Sequence, residues 1–356
     1  MQSNRSSNSE QNRATPQPDV RRGWAILDAV LVLVTLLLNL IIVLPSIQVA
    51  RDESRKVQCQ ANLKVIGSGL HQYHDLHNRL PPGFVLSENG AYTGWSWSTK
   101  ILPHLGAAEL AAKLDGHYQH GLNAVKDHQE LRQVIASFRC PTDSGTEYLE
   151  DVRVASGAVT DGDVDPSTVN WQRTFPRSTY FGNAGFLHVR NGGIQYNTAG
   201  IPTSVAALTN AGSLGHRGEP KTQATQYCDQ RHFGGCFAQN SRVGFIDVTD
   251  GTSNSLMVGE RYSPLVASTE DASTVGHGTW IAVPDCTTSA GLAMAMGDAA
   301  VRMNIGMPGR EPTTGFGSLH KDGATFLLGD GSVRFLREDI DLEIYRKLST
   351  ICDFKR

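Results

Sequence analysis

Any chemistry in this 356-residue chain has to come from its histidines, cysteines and carboxylates. His320 is followed, after nine intervening residues, by Asp330 and Gly331. A histidine and a carboxylate within hydrogen-bond reach are the elementary unit of general acid–base work. Gly329, Asp330 and Gly331 form a tight-turn sequence between two apolar segments, 324–328 and 332–336, so a hairpin is expected there, with Phe326, Leu328, Val333 and Phe335 available to a core. Folding the hairpin would bring Asp330 towards the loop that carries His320. A hydrogen bond that holds the turn is the structural reading of this pair and stands ahead of a catalytic one.

The other candidates have bland alternatives of their own. His71, His74 and His77 recur at steps of three along a helical segment, where a polar helix face is a simpler account than a metal site. Asp161, Asp163 and Asp165 open like a calcium loop. Pro166, however, stands where the turn glycine belongs and Gln172 where the closing glutamate belongs, so a solvated acidic loop over 144–168 is the alternative. No metal or other cofactor is expected, those three aspartates being the remaining candidates. Six cysteines fit no zinc spacing and allow fifteen full pairings, among which Cys228 with Cys236 is a local loop closure. There is no G-x-S-x-G elbow, H-E-x-x-H helix, phosphate loop or dinucleotide fingerprint, and the chain is expected not to be an enzyme.

The elements that must position these residues start with an apolar run at 24–44, the length a helix needs to cross roughly 30 Å of hydrocarbon. Its one ionisable side chain is Asp28. Thr35 and Asn39, four residues apart, share a face, which is expected to meet protein rather than lipid. A carboxylate in lipid needs a cation. Cutting after Gly23 would supply one, the free amine of Trp24 one turn away; the other reading is a signal anchor in which Asp28 reaches the interface. Pro45 should kink or interrupt the helix. Beyond it Cys59, Leu63, Ile66, Leu70 and Tyr73 continue a helical stripe, with Gly67 and Gly69 read as close-packing points.

Four regions follow: a disordered cytoplasmic leader (1–23), the membrane helix (24–44), a membrane-proximal amphipathic helix (45–78) and an exported α+β domain (79–356) with the hairpin at 320–336. Short helices are expected over 101–114, interrupted at Pro103, and a helix over 124–137. Strands are expected at 179–181, 243–246, 255–260 and 279–283, besides those of the hairpin. A last helix over 342–348 would be capped by Asp339 or Asp341. The leader carries four arginines against two acids, which keeps it in the cytoplasm by the positive-inside rule and sends the rest outward, where disulfides persist. Without the leader the formal net charge falls from −3 to −5, which argues against nucleic acid as a partner.

Several separate stretches resemble one family, the pilin-like proteins with a prepilin-type N-terminal segment and a C-terminal H-x9-DG region, whose globular part is catalogued under a solute-binding-like name of unknown function. They are GSLHKDGATFLLGDGSVRFL (317–336), VTDGTSNSLMVGE (248–260), RKVQCQANLKVIGSGLHQYHD (55–75), LPPG (80–83), GWSW (94–97), CPTD (140–143) and YFGNAG (180–185). The resemblance implies an N-terminal helical spine packed on an antiparallel sheet. It also implies processing by a prepilin peptidase at Gly23 and assembly with other pilin-like subunits, into an envelope fibre or a type II secretion-like structure in the cytoplasmic membrane. In such proteins a glutamate neutralises the terminal amine of a neighbouring subunit. Here Asp28 stands in its place, and Trp24 and Ala25 replace the usual Phe and Thr. The alternative is a membrane-anchored extracytoplasmic binding protein that never polymerises and takes a carbohydrate or small solute.

Overall fold

The computed structural model describes residues 20–86, 94–115, 117–118, 129–143, 145–154, 171–185, 234–238, 240–262, 278–283, 294–299, 301–304 and 315–351. The chain divides into two compact units, Met1–Glu53 and Ser54–Arg356. Helix α1, Val20–His77, runs through both.

In the first unit the apolar side chains from Val30 to Leu44 are exposed, Ile42 by 71% of its surface, and this is a helix long and apolar enough to cross a membrane. Thr35 Oγ1 donates to Val32 O at 2.8 Å, and Asn39 Nδ2 to Thr35 O at 2.7 Å. Both polar side chains thus satisfy a donor on their own helix, one way a single residue is accommodated where no water is at hand. The helix is not interrupted at Pro45. Proline removes one ladder bond, and Ser46 Oγ, beside it, bonds back to Val43 O at 2.8 Å.

In the second unit one face of α1 is core. Cys59, Leu63, Ile66 and Leu70 are fully buried, at the spacing of three to four that keeps side chains on one side of a helix. They pack on a five-stranded sheet of order β10-β9-β6-β5-β8, formed by β5 (Tyr180–Asn183), β6 (Leu256–Glu260), β8 (Met296–Gly297), β9 (Gly323–Leu328) and β10 (Val333–Arg337). All pairings are antiparallel except β5 with β8. Gly67 is the close approach anticipated from its type: a Cβ there would lie 2.7 Å from Leu327 Cδ1.

Every residue of β9 is buried because both faces of the strand are covered. Leu327 joins the core that includes α1, while Ala324, Phe326 and Leu328 join a second cluster with Phe316 and Tyr345. Tyr345 comes from the last helix, α4 (Leu342–Leu348), capped as expected by Asp341, whose side chain accepts from the amides of Glu343 and Ile344.

Two smaller sheets lie among the described residues. β1 (Phe84–Leu86), β2 (Gly94–Ser96) and β7 (Ala282–Val283) form one, and β3 (Tyr148–Val154) with β4 (Trp171–Pro176) the other. Pro103 sits in a single 3-10 turn, Leu102–Leu105, between α2 (Trp97–Ile101) and α3 (Ala108–Asp115).

Four secondary-structure expectations fail in whole or in part: of the strand expected at 279–283 only Ala282–Val283 forms, as β7. The segment 144–168 is not all loop, since β3 lies within it. The stretch 243–246 is not a strand; Phe245–Asp247 is a 3-10 turn stapled by Asp247 Oδ2, which accepts from Gly244 N. The helix expected over 124–137 is, in its described part, two 3-10 turns, Gln129–Arg132 and Ala136–Phe138. A tertiary bond takes a carbonyl a helix would use: Trp280 Nε1 donates to Gln133 O at 3.1 Å.

Candidate functional site

The helix stripe that buries Cys59 also aims it at the loop after Phe138, where Cys140 opens the CPTD sequence. The two are joined in a disulfide that spans 81 residues. Around it the backbone is held at several points. Cys140 N donates to Thr179 Oγ1 at 2.7 Å, Tyr180 Oη donates to Cys59 O at 3.2 Å, and Asn62 Nδ2, one turn along α1, donates to Arg139 O at 2.7 Å. Asp143 in the same loop forms a buried ion pair with Arg177, Oδ2 to Nη2 at 2.9 Å.

Against this disulfide lie two more buried side chains. His320 Nε2 is 3.4 Å from Cys140 Sγ and 3.8 Å from Glu260 Oε1. Glu260 ends β6, and its Oε2 accepts from Thr325 N at 2.8 Å. Its other oxygen, Oε1, is buried and accepts no hydrogen bond among the described residues. Burial pushes the Glu260 carboxyl up to about 7, against the Thr325 amide, the Thr325 and Ser318 hydroxyls and the positive charge of Lys56, which pull it down. His320 is fixed from behind, its amide donating to Ser318 Oγ at 2.9 Å. The four side chains bring one ligand atom each, all within 4.8 Å of one another.

The expected pairing of His320 with Asp330 does not form. The six residues of β9 separate them, and at roughly 3.3 Å per residue the two lie at opposite ends of the strand. Asp330 is exposed, and its Oδ1 accepts from Ser332 N within the turn. Gly331, at φ +81°, supplies the left-handed residue of that turn, which packs near His71 of α1. The hairpin itself forms in the expected register region, Val333 opposite Leu327.

The histidine stripe of α1 is in part a packing surface rather than a polar face. His74 stacks on Phe245 at 4.1 Å between ring centroids, and its Nε2 accepts from Phe245 N. His71 lies 4.7 Å from the same ring, while His77 is exposed beside Tyr73. Cys236 is a buried free thiol that donates to Leu256 O, so it is not closed into the local loop expected with Cys228. Cys228 lies outside the described residues, as do Asp161, Asp163 and Asp165. At the N-terminus the described side chains include Trp24 and Asp28, both exposed on the helix; Gly23 is helical.

Sequence reasoning missed Cys59, Cys140 and Glu260. Cys59 did carry a cue, since it falls on the same stripe as Leu63, Ile66 and Leu70 and so had to face the core. Glu260 closes the apolar segment Leu256 to Gly259, and a carboxylate at the end of a buried strand is unlike a solvent-facing one.

The fold and site define an α+β domain whose helix α1 continues from an apolar, membrane-compatible segment, with a disulfide stapling that helix to the domain. The chain belongs to the SBP_bac_10 family, described as a protein of unknown function (DUF1559), whose family model matches residues 48–343. No curated protein and no solved structure matches it.

Proposed function

We propose that this is a single-pass, pilin- or pseudopilin-like protein of the cell envelope. It is anchored through 24–44 with its N-terminus in the cytoplasm and its domain outside, is cut after Gly23 by a prepilin peptidase, and associates with other pilin-like subunits through the apolar part of α1. The observation that carries the reading is the unbroken run of α1 from Val20 to His77, exposed and apolar over 30–44 and buried on one face from Cys59 to Tyr73. Such a helix gives one element two tasks, lipid or subunit contact at one end and domain packing at the other. The Cys59–Cys140 disulfide supports an extracytoplasmic domain, because disulfides persist in oxidising compartments.

Mass spectrometry of the mature N-terminus from native membranes tests the proposal. A chain that starts at Trp24 is the expected result. An intact Met1 in cells that contain an active prepilin peptidase refutes processing, and the absence of crosslinks between copies through cysteines placed at Thr35 or Asn39 refutes assembly.

A further inference from the structure

The geometry points to a second state of the buried cluster: with the disulfide open, Cys59, Cys140, Glu260 and His320 form a four-ligand site for zinc, which closure of the disulfide abolishes. The four donors are two sulfurs, one imidazole nitrogen and one carboxylate oxygen, each a donor type that tetrahedral zinc takes. In such a site sulfurs ~2.3 Å from the metal lie ~3.8 Å apart, and nitrogen or oxygen donors slightly closer. The His320 Nε2 to Cys140 Sγ distance of 3.4 Å and the His320 Nε2 to Glu260 Oε1 distance of 3.8 Å already suit it. The sulfur to sulfur distance is the one that must change, from a covalent bond to a contact.

A second observation is independent of this donor count. Glu260 is 1% exposed, yet its Oε1, which faces His320 Nε2 at 3.8 Å, has no hydrogen-bond partner among the described residues. Leaving a buried carboxylate oxygen unsatisfied is costly. A metal in the middle of the four atoms would be its partner. Two thiolates and a carboxylate on a dication leave one net negative charge, and Lys56, whose charge acts on Glu260, lies on the side of α1 that can balance it.

The redox step needs a reductant, here a small dithiol. The dithiol gives two electrons and two protons to the Cys59–Cys140 bond, which becomes two thiols while the dithiol closes to a cyclic disulfide. Zinc binding then displaces the two thiol protons to solvent, leaving both sulfurs as thiolates on the metal. Oxidation by a disulfide reagent runs the same balance backwards and releases the ion.

The experiment uses the full-length protein in detergent, oxidised or reduced with a dithiol and desalted without oxygen, titrated with Co2+ as the probe. The reduced protein is expected to take up one equivalent with thiolate-to-cobalt charge transfer and the intense visible bands of a tetrahedral ion, all lost on adding Zn2+. The oxidised protein is expected to take up none at this site. Cys140→Ser should weaken the charge-transfer band, the double variant Cys59→Ser, Cys140→Ser should remove it, and His320→Ala should weaken cobalt binding by at least ~10-fold. A triple variant, Cys228→Ser, Cys286→Ser, Cys352→Ser, keeps the site and should keep the band. Absence of the band in reduced wild type, its survival in the double variant Cys59→Ser, Cys140→Ser or its loss in the triple variant overturns the proposal. So does a reduced protein whose near-ultraviolet circular dichroism is lost and not restored by Zn2+.

Discussion

His320 and the Asp330–Gly331 turn lie at the two ends of β9 and have opposite characters. The end that carries His320 is buried against a disulfide and a glutamate, whereas at the other end the Asp330 side chain is exposed and bonds to Ser332 N within the turn, whose Gly329 and Asp330 amides donate to Ser255 O and Thr252 O. The difference shows that the spacing between a histidine and an aspartate can reflect a strand length instead of a contact. Each end does its own task. The first ties the sheet to α1 and to the Cys140 loop, and the second turns the chain.

The largest effect that sharpens this contrast is at the buried end. Replacing Cys59 or Cys140 by Ser frees a loop of 81 residues, and the chain-entropy estimate for closing such a loop is about 4–5 kcal/mol. For a unit of this size that is a fall in melting temperature of roughly 10 °C, measurable by scanning calorimetry. An unchanged transition would mean that the disulfide contributes nothing to the fold and that the two ends differ less than their burial implies.

Next comes Glu260, with the disulfide closed and no metal added. Its carboxyl sits at about 7 in the fold against an ordinary 4.5, with burial as the main cause. The folded state therefore holds a proton that the unfolded chain has released between these two values, and stability falls as pH rises through that window. The full difference is about 3 kcal/mol, present below pH 4.5 and lost above 7. Chemical denaturation across pH 4 to 8 should show this slope in the wild type, and Glu260→Gln should flatten it. A slope of equal size in both would place the titrating group elsewhere.

Local signals were the legible ones. The apolar run and the stripe after it place α1 to within a few residues, the cap of α4 is one of the two aspartates expected, Asp341, and Gly329 to Gly331 mark the hairpin turn. Each of these depends on neighbours in sequence. The pairing of Cys59 with Cys140 depends on how α1 lies on the domain, and nothing within a few residues of either cysteine specifies it. The strands β1, β2, β7 and β8 have three residues or fewer, too short for alternation to register. The 129–137 stretch has helical periodicity, but Trp280, almost 150 residues away, competes for its backbone. Asp330 does not reach His320 because two residues that bracket a single strand cannot meet across it.

At the exposed end a smaller effect follows from backbone shape. Gly331 has φ +81°, where a side chain costs about 1–2 kcal/mol, and a Cβ there meets His71 Nε2 at an ordinary 3.4 Å. Gly331→Ala should lower stability by about that amount with the disulfide intact, as read by urea denaturation and thiol titration. A loss several times larger would show that the turn is packed as critically as the buried end.

The smallest expected effect is at Asp330, and it discriminates most cleanly between spacing and contact. Its side chain contributes one exposed acceptor, from Oδ1 to Ser332 N at 2.9 Å, which an asparagine oxygen reproduces. Asp330→Asn should stay within about 0.5 kcal/mol of wild type, and Asp330→Ala should lose about 0.5–1 kcal/mol, the net worth of one hydrogen bond. Neither variant should alter the pH slope assigned to Glu260. If Asp330 acted on His320, removing its charge would change the electrostatics of the buried cluster and move that slope. A shifted slope in Asp330→Asn would therefore join the two ends again, and an unmoved one leaves β9 as an insulating strand between them.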